Sequence, residues 1–321
     1  MNNNQTRDYS DVKKLGKVAV IAGGNSTERA VSLVSGESIY KALQRKGVEC
    51  RFIDAAEQLA EQLVAYRPSC VFIALHGAGG EDGSVQGLLD CMGISYTGSD
   101  VLSSALAMDK YRSKLLWQSV GLPTPAFQVI SSPDDLEHCH SLLPAFVKPS
   151  QEGSSLGVTR VDKEQDLIKA WETARRYNHF VLVEAFIDGP EFTVGIIDGE
   201  PLPAVRIDVP GMFYDYDAKY HSNDTRYIVP CGLSKAQEQE MQAIALTAFE
   251  VLNCSGWGRV DFIQDEQGRF WLLEVNTIPG MTKRSLFPMA AKQAGIEFDD
   301  LVLNILRSCC TDAVFPKEVE T

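Results

Sequence analysis

WGRVDFIQDEQGRFWLLEVNTIPGMTKRSL, residues 257–286, concentrates more potential chemistry than any other stretch of this chain. Trp257 to Ile263 alternates residue types as a half-buried strand does, which puts Arg259 and Asp261 on one face. After a turn at Asp265 to Gly268, the aromatic and aliphatic run Arg269 to Val275 predicts the returning strand of an antiparallel hairpin. Glu274 and Asn276 share a face on that second strand, and cross-strand pairing can bring them beside Asp261 as three oxygen donors. Such a set suits Mg²⁺, which takes few protein carboxylates and completes its octahedron with water and phosphate oxygens; with the Arg259 cation nearby it points to phosphoryl transfer. The alternative is a pair of solvated strand-end carboxylates. Pro279 and Gly280 then turn the chain so that a backbone N–H can face a ligand, and Ser285 followed by Leu286 to Pro288 reads as an N-cap and first helical turn, a place that attracts carboxylate.

With 321 residues, 45% of them hydrophobic, the chain can bury a large core divided among two or three domains. No apolar run reaches transmembrane length and the first fifteen residues are polar, so a cytosolic protein with neither membrane span nor secretory signal is expected. Eight cysteines without metal-ligand spacing fit reduced thiols. A formal net charge of −13 argues against nucleic-acid or anionic-membrane binding and requires local lysines and arginines around any phosphate ligand.

Upstream, Lys17 to Ala22 is an apolar strand ending at Gly23 and Gly24, followed by a helix up to Gly47 and a strand from Glu49 to Ile53, a βαβ opening. It lacks the GxGxxG spacing of a dinucleotide site, which excludes the usual dehydrogenase. Glu28 is either a holder of a substrate ammonium or a partner of the helix dipole. The strand Cys70 to Leu75 runs into His76 and a loop with four glycines in seven residues, Gly77 to Gly83, able to wrap a small ligand; His76 gains interest by lying opposite Glu28 in the expected sheet. The first domain closes near Ser99, a helix from Val101 to Val120 carries Lys110, and Gly121 to Pro125 form an extended link.

Ala145 to Val147 leads to Lys148 and the loop from Ser150 to Gly157, whose glycines and serines can grip phosphate although the P-loop order is absent. The strand Val181 to Val183 exits at Glu184, Ala185, Phe186 and Ile187, where backbone groups beside an apolar wall could hold an adenine edge. Strands at Glu191 to Ile197 and Leu202 to Ile207 follow. From residue 211 to 224, aromatics interleaved with charges fit either a lid or a static surface loop. Helices are expected over Ala236 to Leu252, Phe287 to Ala294 and Phe298 to Leu306.

Five segments, GGNSTER (23–29), HGAGGEDG (76–83), EGSSLG (152–157), YDYDAKY (214–220) and LLEVNTIPGMT (272–282), resemble in sequence and order the D-alanine:D-alanine ligases of the ATP-grasp superfamily, over nearly the whole of 17–306. The resemblance implies an α/β and α+β protein: an N-terminal Rossmann-like (pre-ATP-grasp) domain at 1–98, then a two-lobed ATP-grasp fold, with a central lobe at 99–187 and a C-terminal lobe at 188–321. It implies ATP and Mg²⁺, with Mn²⁺ as a substitute, D-alanine as substrate, and a homodimer. Lys110 and Lys148 would then contact phosphates, Glu184 with the backbone of Ala185, Phe186 and Ile187 the adenine, and Glu191 the ribose. Asp261, Glu274 and Asn276 would hold Mg²⁺. Glu28, beside His76, would take the first ammonium, Arg259 and the Gly280 N–H the tetrahedral intermediate, and Ser285 with the Leu286 N–H the second carboxylate. Tyr220 with Ser154 would tie the lid to Glu28, and Lys219 would reach the γ-phosphate. Ala185, Ala78 and Arg284 depart from common choices in the family and bear on nucleotide affinity rather than reaction type. Rival readings are a ligase for D-lactate or D-serine, disfavoured by Tyr220, and a silent ATP-binding module, disfavoured by the full metal-donor set.

Overall fold

The computed structural model describes residues 12–208 and 225–311. The segment 211–224, with Lys219 and Tyr220, lies outside the described residues. The N-terminal unit is a parallel sheet in the order β2-β1-β3-β4, built from β1 (Val18–Ala22), β2 (Cys50–Asp54), β3 (Cys70–Ile73) and β4 (Ser95–Tyr96). Its two middle strands, VAVIA and CVFI, are buried at every position, as continuous apolar strands covered on both faces must be. The helix Arg29–Arg45 lies so close to β1 that a Cβ on Gly36 would fall 2.3 Å from the Ala22 methyl, which explains the glycine.

Two antiparallel sheets follow. The central one runs β5-β8-β6-β7, from β5 (Phe127–Ile130), β6 (Ala145–Pro149), β7 (Thr159–Val161) and β8 (Val181–Ala185). The C-terminal one comprises β9 (Glu191–Ile197), β10 (Glu200–Pro201), β11 (Val205–Asp208), β12 (Arg226–Ile228), β13 (Trp257–Gln264) and β14 (Phe270–Asn276), ordered β12-β11-β9-β13-β14 with β10 beside β9. This agrees with the α/β and α+β architecture expected from the sequence.

The predicted single helix over 101–120 is in fact two, Val101–Met108 and Lys110–Ser119. Asp109 breaks it: its backbone is extended and its carboxylate accepts from the Arg112 N–H, so it caps the second helix and sets Lys110 at that helix's first position. The strand expected from Leu202 starts instead at Val205, because Pro203 cannot donate to a ladder.

The division into sheets is not a division into cores. Trp257 of β13 is fully buried, with Phe72 of β3 edge-on at 5.9 Å and Phe287 at 5.3 Å, and the helix Phe298–Thr311 belongs to the same apolar cluster as the N-terminal sheet. Ion pairs Arg45–Asp299 and Lys46–Asp300, each 2.6 Å, fasten that helix to Arg29–Arg45. Among the described residues no helix is long and apolar enough to cross a membrane.

Candidate active site

The β13/β14 hairpin fixes the donor set. Asp261 lies opposite Glu274 and Arg259 opposite Asn276. Between Asp261/Glu274 and Phe262/Leu272 the register slips by one residue, so Leu273 is a bulge, and Leu273 and Glu274 both turn from the core toward the cleft. Asp261 is tightly held: Arg259 donates Nε to Oδ1 and Nη2 to Oδ2, both 2.8 Å, Thr193 donates to Oδ1 at 2.6 Å, and Asn276 donates its amide to Oδ2 at 3.0 Å. That orientation leaves the Asn276 carbonyl as an acceptor. Glu274 meets the Lys110 ammonium at 3.0 Å. Among the described residues no three His, Cys, Asp or Glu side chains gather as a metal site. Two carboxylates and an amide oxygen, with cations balancing them, nevertheless fit a hard cation that keeps phosphate and water in its shell.

Lysines line the adjoining cleft. Lys110 donates to the Glu152 carbonyl at 2.8 Å, so one side chain bridges the 150–157 loop and β14. Burial alone would lower its pKa, but Glu274, with Glu184 and Glu81, outweighs that and holds the ammonium above its ordinary value. Lys148 leaves β6 to meet Glu184 of β8 at 2.6 Å. Ala185, Ile187 and Glu191 join the cleft wall, whereas the Phe186 ring packs on Phe146 at 5.7 Å beneath the Arg160 guanidinium and its N–H donates to the Pro144 carbonyl.

Next to it a cavity of about 710 Å³ opens between the N-terminal unit and the hairpin. Glu28 is buried there and makes no side-chain cap bond to its helix; its Oε1 accepts from the hydroxyl of Ser154 in the loop between β6 and β7. The Glu28 carboxylate therefore turns from the helix it precedes toward the loop after β6, and stands at the cavity wall. His76 is buried, and desolvation lowers its pKa against the pull of Glu28, which favours the neutral imidazole. Its Nε2 lies 3.1 Å from Ser35 Oγ, which accepts the Met281 N–H at 3.1 Å, so this chain of bonds ties the N-terminal sheet to the turn after Gly280. Ser285 sits at the N-cap position of the helix Leu286–Gln293 without capping it; its hydroxyl accepts from the Thr282 N–H at 2.9 Å and lines the cavity with Gly280 and Leu286. Thus Glu28, Ser154, His76, Arg259, Gly280, Ser285, Leu286, Glu274 and Asn276 meet around one cavity, while Lys148, Glu184, Ala185, Ile187, Glu191 and Asp261 line the cleft beside it.

Glu81 and Lys114 were not legible as site residues. Desolvation, reinforced by Glu28, pushes the Glu81 carboxyl up to about 8 although the Gly77 N–H donates to it at 2.8 Å. A carboxyl raised from 4.5 contributes stability that is present in full below pH 4.5 and is lost as pH rises through about 8. Glu81→Gln, which keeps the acceptor and cannot ionise, should therefore gain Tm over the parent by a margin that widens across that window; a constant margin from pH 5 to 8 would show that Glu81 is ionised throughout. A second expectation concerns Gly153, whose added Cβ would sit 2.9 Å from Glu28 Oε2. Gly153→Ala displaces that carboxylate; if Glu28 holds the substrate ammonium, KM for that substrate should rise about tenfold, or ~1.4 kcal/mol, with little change in KM for the nucleotide. Equal changes in both would refute the assignment of Glu28.

The family model described as the D-ala D-ala ligase C-terminus matches residues 116–307, and that for the N-terminus matches 55–99. A D-alanine–D-alanine ligase of Pseudomonas entomophila is 52% identical over 298 residues, 92% of this chain and 94% of that protein. Among solved structures, a D-alanine–D-alanine ligase from Bacillus anthracis complexed with ATP superposes with a TM-score of 0.81 at 32% identity, covering 92% of this chain and 98% of its own. A D-Ala:D-Ser ligase from Enterococcus faecalis superposes with 0.79 at 29% identity, covering 91% and 98%.

Proposed function

Because the chain belongs to the D-alanine–D-alanine ligase family, we propose that it joins two D-alanines into D-alanyl-D-alanine with ATP as the energy source, for peptidoglycan precursor synthesis. The observation that carries this reading is the juxtaposition of Glu28–Ser154, able to hold an ammonium, with Arg259 and the Asp261/Glu274/Asn276 oxygens across a single cavity and cleft.

Lys110 and Lys148 would offset the charge of the phosphates, with Glu184, Ala185 and Ile187 along the adenine and Glu191 at the ribose, whereas Phe186, expected there too, is turned onto Phe146. Asp261, Glu274 and Asn276 would hold Mg²⁺, which supplies charge neutralisation between phosphates; Mn²⁺ offers a similar oxygen chemistry. Glu28 binds the ammonium of the first D-alanine and points its carboxylate toward the γ-phosphorus. One carboxylate oxygen attacks, ADP leaves, and an acyl phosphate forms. The second D-alanine rests its carboxylate on Ser285 and the Leu286 N–H, and its amine, having lost a proton, attacks the acyl carbon. Arg259 and the Gly280 N–H stabilise the tetrahedral oxyanion until phosphate departs. Enclosure between three units protects the acyl phosphate from water. The same reading has the enzyme in the cytosol as a homodimer.

The test is ADP release across D-alanine, L-alanine, D-serine and D-lactate, with products weighed by mass spectrometry. D-alanyl-D-alanine as the dominant product is expected. A mixed product with D-serine or D-lactate would move the chain to a sister activity, and nucleotide binding without turnover would make it a silent module.

A further inference from the structure

Lys114 is fully buried in the middle of the helix Lys110–Ser119 and takes no direct part in the reaction outlined above. Its ammonium meets Glu184, donates to Thr124 Oγ1 at 2.6 Å, and reaches the Leu272 carbonyl at 3.3 Å. Thr124 Oγ1 itself donates to Leu272 O at 2.9 Å, and the Leu272 N–H donates to Pro123 O at 2.9 Å. One cation therefore fastens the link at 121–125, strand β14 of the C-terminal lobe and the Glu184 carboxylate of the central lobe.

The arrangement around Glu184 is asymmetric in a useful way. Its two oxygens have two ammonium partners: Lys148, which borders the cleft and has an exposure of 12%, and Lys114, which has none. A lysine that grips phosphate has to give up some of its hold on a carboxylate. If Lys148 were the only partner, its departure would strand a buried anion without a counter-charge. We propose that Lys114 is a positioning residue for the nucleotide: as the buried counter-ion of Glu184, it balances that carboxylate, holds it at the cleft and lets Lys148 turn to the phosphates. Burial would raise the Glu184 carboxyl, yet Lys114 and Lys148 together hold it below its ordinary range, consistent with a carboxylate that stays ionised. The hold of Lys114 on Leu272 also sets the adenine side of the cleft relative to Glu274, two residues along the same strand.

This inference rests on the reading of the Lys148–Glu184 cleft as the ATP site. Lys114→Met keeps length and removes charge; in the absence of ATP, Glu184 retains Lys148, so the fold should persist. The expected result is a rise of about tenfold or more in KM for ATP, with KM for D-alanine within about twofold of the parent. In a Glu184→Gln background, where no buried anion is left to balance, the same substitution should change KM for ATP by less than about twofold. That pair also serves if Lys114→Met alone fails to fold, since the double variant removes both charges. An unchanged KM for ATP, a parallel loss of affinity for both substrates, or an equal effect in the Glu184→Gln background would overturn the proposal. Lys148→Ala separates the two levels: no effect of this variant on KM for ATP refutes the ATP-site reading itself, whereas a large effect beside a silent Lys114→Met refutes only the role of Lys114.

Discussion

Glu274→Gln should abolish turnover while leaving the protein folded. Glu274 faces Asp261 across the hairpin and is the carboxylate against which Lys110 rests, so neutralising it removes the negative charge proposed to hold Mg²⁺ and the main interaction that raises the Lys110 pKa. The triphosphate then meets a site with weaker cation binding and a less firmly placed ammonium. A loss of roughly 10³-fold in kcat, about 4 kcal/mol, is expected from effects of this type. The position is half-buried on the sheet's edge strand, and glutamine keeps its shape, so Tm should move little. Raising Mg²⁺ or Mn²⁺ should recover part of the activity; near-parent turnover at ordinary Mg²⁺ would remove Glu274 from the donor set.

The second large effect is expected at Arg259. Its guanidinium clamps Asp261 with two parallel bonds of 2.8 Å and borders the same cavity as Glu28 and Gly280. Lysine would preserve the charge and lose the fork, so Arg259→Lys is not conservative here. If Arg259 stabilises the tetrahedral carbon, dipeptide formation should fall roughly 10²- to 10³-fold while the first phosphoryl transfer persists. Trapping the acyl phosphate with hydroxylamine distinguishes the steps: D-alanine hydroxamate should still accumulate in the variant. If hydroxamate and dipeptide vanish together, Arg259 acts only through Asp261.

The hairpin at 257–276 could be read from the sequence because its alternation is nearly unbroken and its turn is marked by Asp265 and Gly268. The glycine-rich loops after β3 and β6 were visible for the same local reason, since unusual composition marks places where backbone approaches a ligand. What escaped depends on contacts distant in sequence. The bulge at Leu273 shows only as a shift in apolar phase, with Phe270 and Leu272 two apart but Val275 three further on. Asp109 between two helical runs looks like one more polar surface residue until Ser150 and Gln151 donate to it at 2.7 and 2.8 Å. Lys114 is harder still: in KYRSKLLWQS a lysine among lysines and arginines reads as solvated, and only pairing with Glu184, seventy residues away, gives it a reason to be buried. Glu184 stands out in the sequence as a residue at the adenine edge, but its place between the Lys114 and Lys148 ammoniums depends on contacts distant in sequence.

The transfer of one carboxylate oxygen is the most direct test of the central claim. With D-alanine labelled by ¹⁸O in its carboxyl group, attack on the γ-phosphorus followed by amine attack on the acyl carbon requires that the released phosphate carry one labelled oxygen for each dipeptide formed. Phosphate analysed by mass spectrometry should show that single label in step with D-alanyl-D-alanine. Unlabelled phosphate accompanying dipeptide would rule out the acyl phosphate and with it the roles given to Glu28, Arg259 and Gly280.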